Sequence, residues 1–421
     1  MEIRRDIHLD RIRKRMHNGM IKIITGMRRA GKSYLLFHLF YNYLRASGVA
    51  DDHIVKVDLE DRRNAALRAP DALLAYIDSR LGDDGSMHYV LLDEVQLVPQ
   101  FEDVLNSYLK IANADVYVTG SNARFLSRDI ATEFRGRGDE IRIMPLSFAE
   151  FMATRADRNK EDMLYEYMAY GGLPQVVLMD DATMKGEYLS NLFTHTYLRD
   201  IRERYSIRKD YDLEELINVL ASCIGTMTNP ARIESTFKSV KHSTITQETI
   251  KTYIDLLQDA FLVCKAQRYD IKGRKYIGTP AKYYFEDMGL RNARLNFRQT
   301  EYTHLLENVV YNELRLRGFA VDVGQMPVVQ TVDGTGKRQR KMLEVDFVCN
   351  KGYRRHYIQT ALSLHSEEKK SQETLSLRKI GDGFSKVLIV GMPTPRYQNA
   401  DGITIMSIYD FLLNADSLDA I

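Results

Sequence analysis

The sequence predicts an α/β fold built around a parallel sheet, and three short stretches indicate it. In the first stretch, an apolar strand at residues 20–25 is followed by a glycine-bearing loop and by a helix with apolar residues at helical spacing. The second is the apolar run at residues 89–92, which ends in two acidic residues, and the third is the β-branched run at residues 116–119. Continuous apolar runs of this length are typical of strands buried on both faces of a parallel sheet.

The loop after the first strand fits the phosphate-binding pattern G-x-x-x-x-G-K-[ST] without a mismatch. Backbone N–H groups of such a loop and the positive end of the following helix converge on phosphates. Lys32 is expected to reach the β- and γ-phosphates, and the Ser33 hydroxyl to ligate Mg²⁺. The pattern predicts binding of ATP with Mg²⁺. The residues expected to contact ATP are Gly26, Met27, Arg28, Arg29, Ala30, Gly31, Lys32, Ser33 and Tyr34.

Polar residues follow the second and third strands, where the carboxyl ends of parallel strands face a ligand crevice. Asp93 is expected to hold the Mg²⁺ ion through water, and Glu94 to orient and polarise the attacking water. The alternative is an acidic turn without a chemical role. Ser121 or Asn122 would contact the γ-phosphate or the water; the sequence does not separate them, and Asn122 is taken as the catalytic candidate.

Two arginines, Arg135 and Arg137, precede the strand predicted at residues 140–144. An arginine near a γ-phosphate neutralises charge in the transition state, and a neighbouring subunit can supply it. The pair therefore predicts a catalytic arginine and admits a homo-oligomer. The alternative is that both are solvated surface side chains.

Composition narrows the class of protein. A chain of 421 residues is long enough for two to four domains, and a net charge of only +2 gives no overall basic field. Its three cysteines are far apart and match no metal spacing, which indicates free thiols in a reducing compartment. No apolar run approaches the ~20 residues of a membrane span, and the N-terminus reads as a charged helix rather than a secretory signal. We therefore expect a cytoplasmic protein without a membrane partner.

Taken in order, the phosphate loop, "LLDE", "TGSN" and "RGRG…PLSFAEF" resemble the AAA-type P-loop ATPases, specifically a bacterial and archaeal group with a C-terminal restriction-nuclease-like domain. The stretches "YGGLP" and "YLRDIRERY" also recur in that group. The resemblance implies ATP hydrolysis but no known biological task. It implies a three-layer P-loop NTPase core at residues 1–151, a helical lid at 152–210, a winged helix at 211–275 and a nuclease-like α/β domain at 276–421.

Basic residues are concentrated at residues 265–298, where nine Lys or Arg face three Asp or Glu. Tyr269, Tyr276, Tyr283 and Tyr284 are interleaved with them, and a second basic cluster lies at residues 336–341. Basic residues with aromatic rings suit a phosphate backbone and exposed bases, so DNA is one expected partner. A partner protein is the other. The plainer alternative is a solvated hairpin surface with structural tyrosines.

The last part of the chain resembles the PD-(D/E)xK nuclease fold, with a helix that carries Glu307 and strands expected at residues 343–349 and 356–364. That site uses a helix Glu, a strand Asp and then (Glu/Gln)-x-Lys on the next strand. Glu307, Asp346 and Gln359 fit those places, but Ala361 stands where the lysine belongs.

The missing lysine argues against nuclease activity, and we expect a degenerate site that binds without cutting. Lys369 and Lys370 are the nearby amines that could take its place. Alternatively, the same carboxylates are polar residues satisfied within the sheet. The leading function is an ATPase that couples nucleotide state to DNA or partner-protein engagement. Its rivals are an ATP-controlled, Mg²⁺-dependent nuclease and a nucleotide-dependent signalling or scaffold switch without nucleic acid.

Overall fold

The chain forms two units, each built around its own β-sheet, in a computed structural model. The first unit comprises residues 1–146, 173–175 and 259–261, and the second comprises 147–172, 176–258 and 262–421. The residues that the structure describes are 3–82, 85–120, 136–205, 207, 210–241, 245–299, 301–331 and 338–419.

The sheet of the first unit has five strands in the order β2-β3-β4-β1-β5, and its neighbouring strands pair in parallel. The strands are β1 (Ile21–Gly26), β2 (Ile54–Asp58), β3 (His88–Asp93), β4 (Ala114–Thr119) and β5 (Gly138–Ile143). Both β1 and β3 are buried along their whole length, as their apolar runs require. The parallel α/β sheet expected from the sequence is confirmed.

Helices cover this sheet and bury its apolar side chains, among them Ile23, Val90 and Val118. The helix after the phosphate loop is continuous but changes pitch, with a π-helical middle at Leu35–Phe40. The helical segments are Asp6–Arg13, Lys32–Tyr34, Leu35–Phe40, Tyr41–Ala46, Asp51–His53, Arg62–Arg68, Pro70–Asp78, Val95–Leu97 and Phe101–Tyr108.

The chain after residue 147 begins with helices, as the apolar spacing predicts. They are Phe148–Ala153, Lys160–Tyr170, Pro174–Val177, Ala182–Leu192, Phe193–Leu198, Arg199–Tyr205, Asp210–Ser222, Pro230–Thr236, Phe237–Lys241, Gln247–Asp259 and Met288–Arg294. The last of these lies among the others: Arg291 is buried and donates to the Ala221 and Gln299 carbonyls, and Asn292 donates to the Met168 carbonyl. Buried donors of this kind fix the helices in one arrangement.

The second unit also contains an eight-stranded sheet in the order β12-β13-β11-β10-β9-β8-β6-β7. Its strands are β6 (Val263–Asp270), β7 (Lys275–Phe285), β8 (Ala320–Thr331), β9 (Arg338–Lys351), β10 (Arg354–Ala361), β11 (Ser385–Val390), β12 (Tyr397–Gln398) and β13 (Ile403–Ser407). Helices Tyr302–Leu316, Glu367–Arg378 and Ile408–Leu413 accompany it.

One detail of this sheet differs from the sequence expectation. The strand β9 begins five residues before the expected start at residue 343, because it pairs with β8 over a long antiparallel ladder from Ala320↔Asn350 to Thr331↔Arg338. Both strands of the β6–β7 hairpin, residues 263–285, belong to this sheet. Within the described residues, none of the helices has the length and apolarity that a bilayer crossing requires.

Candidate functional site

The phosphate loop is shaped by two glycines that no other residue can replace without strain. A Cβ atom at Gly26 would lie 2.1 Å from the Ile143 carbonyl oxygen, so β1 and β5 approach each other too closely for a side chain there. Gly31 has a φ of 94°, in the left-handed region that favours glycine, and the helix begins directly after it at Lys32. The loop therefore turns sharply into a helix N-terminus, the geometry that binds anions.

Lys32 is buried at the base of this loop. Its ammonium donates to the carbonyl oxygens of Gly26 (3.1 Å) and Met27 (3.2 Å). Burial lowers the pKa of Lys32, and the nearby carboxylates Glu94 and Asp93 oppose that shift. Because the hydrogen-bond acceptors of this ammonium are neutral carbonyl oxygens, and the carboxylates act on it only from a distance, a bound phosphate would supply the anion in direct contact. The residues present fit the anion that the sequence pattern predicts.

The acidic pair and the loop meet at the carboxyl edge of the sheet. Asp93, at the end of β3, accepts hydrogen bonds from the hydroxyls of Thr119 and Ser33. Burial raises the pKa of the Asp93 carboxyl, and these two hydrogen bonds oppose the shift. Hard oxygen ligands of this kind suit Mg²⁺. Ser33 and Asp93, expected from the sequence to hold the ion, are thus brought into contact.

Glu94 is held in a left-handed backbone conformation, with a φ of 52°. Its backbone N–H donates to the Thr119 hydroxyl at 2.9 Å, and its carboxylate accepts from the Gln96 side-chain amide. The Thr119 hydroxyl thus joins the two acidic residues. We did not single out Thr119 as a site residue from the sequence, although its position at the end of the strand beside β3 was a usable signal.

Arg5 is a second residue that sequence reasoning missed. Its side chain is buried and donates to the carbonyl oxygens of Ala30 (2.9 Å) and Met144 (2.6 Å). The guanidinium therefore ties the N-terminal segment both to the phosphate loop and to the end of β5. A charged residue five positions into a polar N-terminus carries no sequence pattern that would announce this role.

Of the remaining catalytic candidates, the structure describes only Arg137, and it does not lie at this edge. Asn122 and Arg135, with Ser121, lie outside the described residues. Arg137 is exposed, and its carbonyl accepts from the backbone N–H of Ile21, at the amino end of β1. The phosphate loop begins five residues later on that strand, about 17 Å away at the usual rise of a strand. Within one chain, Arg137 therefore lies at the opposite edge of the sheet from Lys32.

Comparison with known proteins identifies this part of the chain. Residues 18–152 match the family described as an AAA domain, and residues 161–301 match a domain of unknown function, DUF8612. An uncharacterized protein of Haemophilus influenzae is 34% identical over 415 residues, which span 98% of this chain and 98% of that protein. The chain belongs to the family of this Haemophilus protein and carries an AAA domain.

More distant likenesses add little. An uncharacterized protein of Methanocaldococcus jannaschii is 28% identical over 383 residues, covering 88% of this chain and 80% of that protein. The solved structure of the Aeropyrum pernix ORC1 protein in complex with DNA aligns with a TM-score of 0.29 and 12% identity, over 70% of this chain and 92% of the other. A likeness this weak supports no argument about ligands. The AAA domain itself agrees with the sheet order and the phosphate loop described above.

A second polar cluster lies outside the AAA domain, in the eight-stranded sheet, and Lys282 is at its centre. The Lys282 ammonium donates to Glu307 at 2.8 Å and to Glu344 at 2.6 Å. Glu307 also accepts from the Tyr284 hydroxyl at 2.5 Å. Lys282 and Glu307 are both buried, and the neighbouring carboxylates raise the pKa of Lys282 against the effect of burial. The lysine is thus charged and fully engaged.

Asp346 and Gln359 complete this cluster. Asp346 accepts from the Thr360 backbone N–H (2.8 Å), the Thr360 hydroxyl (2.7 Å) and the Gln359 amide (3.0 Å). Burial, followed by repulsion from Glu307, raises the pKa of Asp346 to about 7. The three residues that the sequence placed together are therefore close in space. Among the described residues, no group of three or more His, Cys, Asp or Glu is arranged to hold a metal ion.

Neither lysine proposed to replace the missing amine belongs to this cluster. Lys369 pairs with Glu373 at 2.7 Å, and Lys370 pairs with Glu367 at 3.5 Å. The amine beside the carboxylates is Lys282, which precedes the helix of Glu307 by 20 residues. No motif spacing pointed to Lys282. It lies on β7, and only the tertiary structure shows that β7 belongs to the same sheet as β8, with β6 between them.

The basic stretch at residues 265–298 is only partly a surface, which corrects the sequence expectation. Lys282 and Arg291 are buried, and so are the rings of Tyr269, Tyr283 and Tyr284. Of the four interleaved tyrosines only Tyr276 is exposed. Burial follows from the role of these residues in joining strands and helices of the second unit. In the second basic cluster, Arg340 and Lys341 are exposed, while residues 336 and 337 lie outside the described residues.

The raised pKa of Asp346 predicts a pH-dependent stability. Between about pH 4 and pH 7 the folded state holds a proton that the unfolded state has released, so the contribution of Asp346 to the free energy of unfolding falls as pH rises. Asp346→Asn removes this dependence. Between pH 5 and pH 7, the free energy of unfolding of the variant should rise by about 1–3 kcal/mol relative to that of the wild type. Urea denaturation followed by circular dichroism measures it.

The control for this measurement is Asp401→Asn, at an aspartate that is half exposed. Its stability should follow the wild type at each pH. His304, whose pKa Glu307 raises, is present in all three proteins, so the differences isolate Asp346. Parallel curves for Asp346→Asn and the wild type would contradict the assigned protonation.

Proposed function

We propose that the AAA domain binds ATP with Mg²⁺ and hydrolyses it. The observation that carries this proposal is the meeting of Lys32, Ser33, Asp93 and Glu94 at the carboxyl edge of one parallel sheet. The Thr119 hydroxyl joins Asp93 to the Glu94 backbone there. An anion cradle, a pair of oxygen ligands and a second carboxylate are the three parts that phosphoryl transfer to water requires.

Each residue has a distinct role in this proposal. The loop N–H groups and Lys32 bind the phosphates, and Arg5 positions the loop through the Ala30 carbonyl. Ser33 and Asp93 would hold Mg²⁺, which neutralises charge on the phosphate oxygens when bound. Glu94 accepts a proton from the attacking water, and Thr119 fixes the backbone that presents it. Asn122 would contact the γ-phosphate or that water.

A second copy of the chain is the source that we propose for the catalytic arginine. Arg137 lies at the amino edge of the sheet, so within its own chain it is remote from the phosphate loop. We propose that Arg137, or Arg135 beside it in sequence, reaches the nucleotide of a second copy. A homo-oligomer then completes the site.

For the rest of the chain we propose a helical lid at residues 152–210, a winged helix at 211–275 and a nuclease-like domain at 276–421 that engages DNA or a partner protein according to the nucleotide state. The helical segments between Asp210 and Asp259, followed by the strand β6, support the winged helix; β7, which pairs with β6, continues beyond residue 275 to Phe285. The order of the helix with Glu307, the strand with Asp346 and the strand with Gln359 supports the nuclease-like domain.

We propose that this domain does not cut. The place where a nuclease would gather a cation among carboxylates holds the Lys282 ammonium, bonded to Glu307 and Glu344. Asp346 is saturated by Thr360 and Gln359. A metal ion could bind among these carboxylates only by displacing a buried ammonium that is already paired with them. Breaking a buried ion pair is costly, so the arrangement disfavours a metal ion.

The ATPase proposal is tested with two variants. Lys32→Ala should abolish tight ATP binding, because it removes the charge that faces the terminal phosphates. Glu94→Gln should retain ATP binding and lower the turnover rate by about 100-fold or more, since only the water-activating group is lost. Nucleotide affinity and steady-state phosphate release are measured for both. Near-normal turnover in Glu94→Gln would refute its assigned role; Glu102→Gln, an acidic residue on the helix Phe101–Tyr108, is the matched control.

Assembly through an arginine in trans predicts that specific activity rises with protein concentration. Mixing Arg137→Ala with Lys32→Ala should then restore part of the activity, because a mixed interface can combine an intact phosphate loop with an intact arginine. The same mixing is done with Arg135→Ala. Activity that is independent of concentration, with no recovery in either mixture, would exclude a trans arginine.

The absence of cutting is tested with supercoiled plasmid and short single strands, in Mg²⁺ or Mn²⁺, with and without ATP. No nicked or shortened product is expected above that of Asp346→Ala. Nicking by the wild type that disappears in Asp346→Ala would promote the nuclease alternative. Loss of that nicking in Lys282→Met, but not in Lys369→Met, would then make Lys282 the relocated amine.

A further inference from the structure

A pocket of about 460 Å³ opens at one end of the eight-stranded sheet. It lies between the β6–β7 turn, the β9–β10 turn and the segment before β11, and Tyr269, Arg274, Tyr353, Arg355 and Phe384 are among its lining residues. The volume is within the usual range of ligand pockets, about 300–1,000 Å³. This pocket is separate from the Lys282 cluster, since it shares no lining residue with it.

The pocket is positively charged. Three arginines line it, Arg274, Arg354 and Arg355, and Arg354 pairs with Asp419, which is not among the lining residues. The one carboxylate in the lining is Asp382. That carboxylate is already engaged, because it accepts from the Tyr357 hydroxyl at 2.6 Å and from the Phe384 backbone N–H at 3.3 Å. Arg274 is exposed, and its side chain forms no ion pair within the described residues. Its charge is therefore available to an anion from solution.

The rings of the pocket have two different roles. Tyr269 and Phe384 hold Arg355 between them, with the guanidinium carbon 5.2 and 5.3 Å from the two ring centres. Arg355 is fixed further by its hydrogen bond to the Asn350 side chain at 2.8 Å. Tyr353, in contrast, is 88% exposed at the tip of the β9–β10 turn. It is the most exposed of the large apolar and aromatic side chains among the described residues.

We infer that this pocket binds a single strand of nucleic acid, with a base stacked on Tyr353 and the adjoining phosphate drawn to Arg274. An exposed ring beside a cation that forms no ion pair within the described residues suits a single strand, since its bases are free to stack and its phosphates are accessible. A duplex offers phosphates but no free base faces, and an acidic peptide offers carboxylates but no planar partner for Tyr353. The inference deepens the proposed engagement of DNA by naming its site and strand state.

The rigid part of the pocket supports the same ligand. Arg355 is held between the Tyr269 and Phe384 rings without a ligand. The Tyr276 ring lies edge-on to Tyr269, with 5.3 Å between the two ring centres. A preordered platform reduces the entropy lost when a flexible strand binds. The exposed face of Phe384 continues this platform toward solvent.

The test is fluorescence anisotropy of the full chain with a labelled single strand of about 16 nucleotides, without ATP, at several salt concentrations. Tyr353→Ala should weaken binding roughly 5- to 150-fold, the factor expected for the loss of one stacked base. Arg274→Gln should make the slope of log affinity against log salt shallower by about 0.7, the value for one phosphate contact on a single strand. DNA and RNA strands are measured in parallel.

Matched controls separate this pocket from the general surface. Tyr211→Ala removes another exposed tyrosine of the second unit, and Arg298→Gln removes an exposed arginine of the same basic stretch that does not line the pocket. Both should bind like the wild type. Because Tyr353 is almost fully exposed, its removal should leave the thermal unfolding temperature unchanged, which circular dichroism verifies.

Three outcomes would overturn the inference: no binding of either strand at low salt, unchanged binding in Tyr353→Ala, or equal affinity for a duplex with no dependence on Tyr353. The last would indicate a surface that contacts phosphates alone. Failure here leaves the ATPase proposal standing, because the AAA domain is tested by phosphate release in Glu94→Gln. Conversely, an inactive nucleotide site would not alter the binding measured without ATP.

Discussion

The parallel pairing of β1 with both β4 and β5 is the constraint on which the proposed nucleotide site depends. It places the phosphate loop at the same edge of the sheet as the ends of β3 and β4, so that residues distant in sequence meet there. The backbones of β1 and β5 come so close at Gly26 that only a glycine fits beside the Ile143 carbonyl. One hydroxyl, that of Thr119, then fixes Asp93 and the Glu94 backbone together.

The two polar clusters of this chain differ in how their charges are balanced. At the phosphate loop, the buried Lys32 ammonium donates to neutral carbonyl oxygens, so its charge is available to an anion. In the eight-stranded sheet, the buried Lys282 ammonium lies between Glu307 and Glu344, so its charge is already matched. Burying a charge is costly without a partner, and a paired buried charge is correspondingly hard to displace. The surroundings of Lys32 can therefore accept an anionic ligand, whereas the charge of Lys282 is already balanced by its carboxylate partners.

The location of surface charge in the second unit follows from the same principle. Much of the basic stretch is drawn inside, where Arg291 satisfies the carbonyl oxygens of helices and Lys282 balances carboxylates. One cation of the stretch that remains outside, Arg274, lies where two turns meet, in the same pocket as Tyr353. A nearly neutral chain can therefore present a local basic and aromatic surface without an overall basic field.

The sequence by itself determined the AAA domain: the phosphate loop pattern, the apolar strands before it and before Asp93, and the parallel sheet that these imply. Such features are local, because consecutive residues determine both the burial of a strand and the phosphate-binding pattern of a loop. Arg5 and Lys282 carry no local pattern, and Thr119 carries only its position at a strand end; the tertiary structure showed what the three residues contact. The same holds for the exposure of the interleaved tyrosines. Charge balance in a folded interior depends on side chains brought together from distant segments, and their spacing along the chain does not encode it.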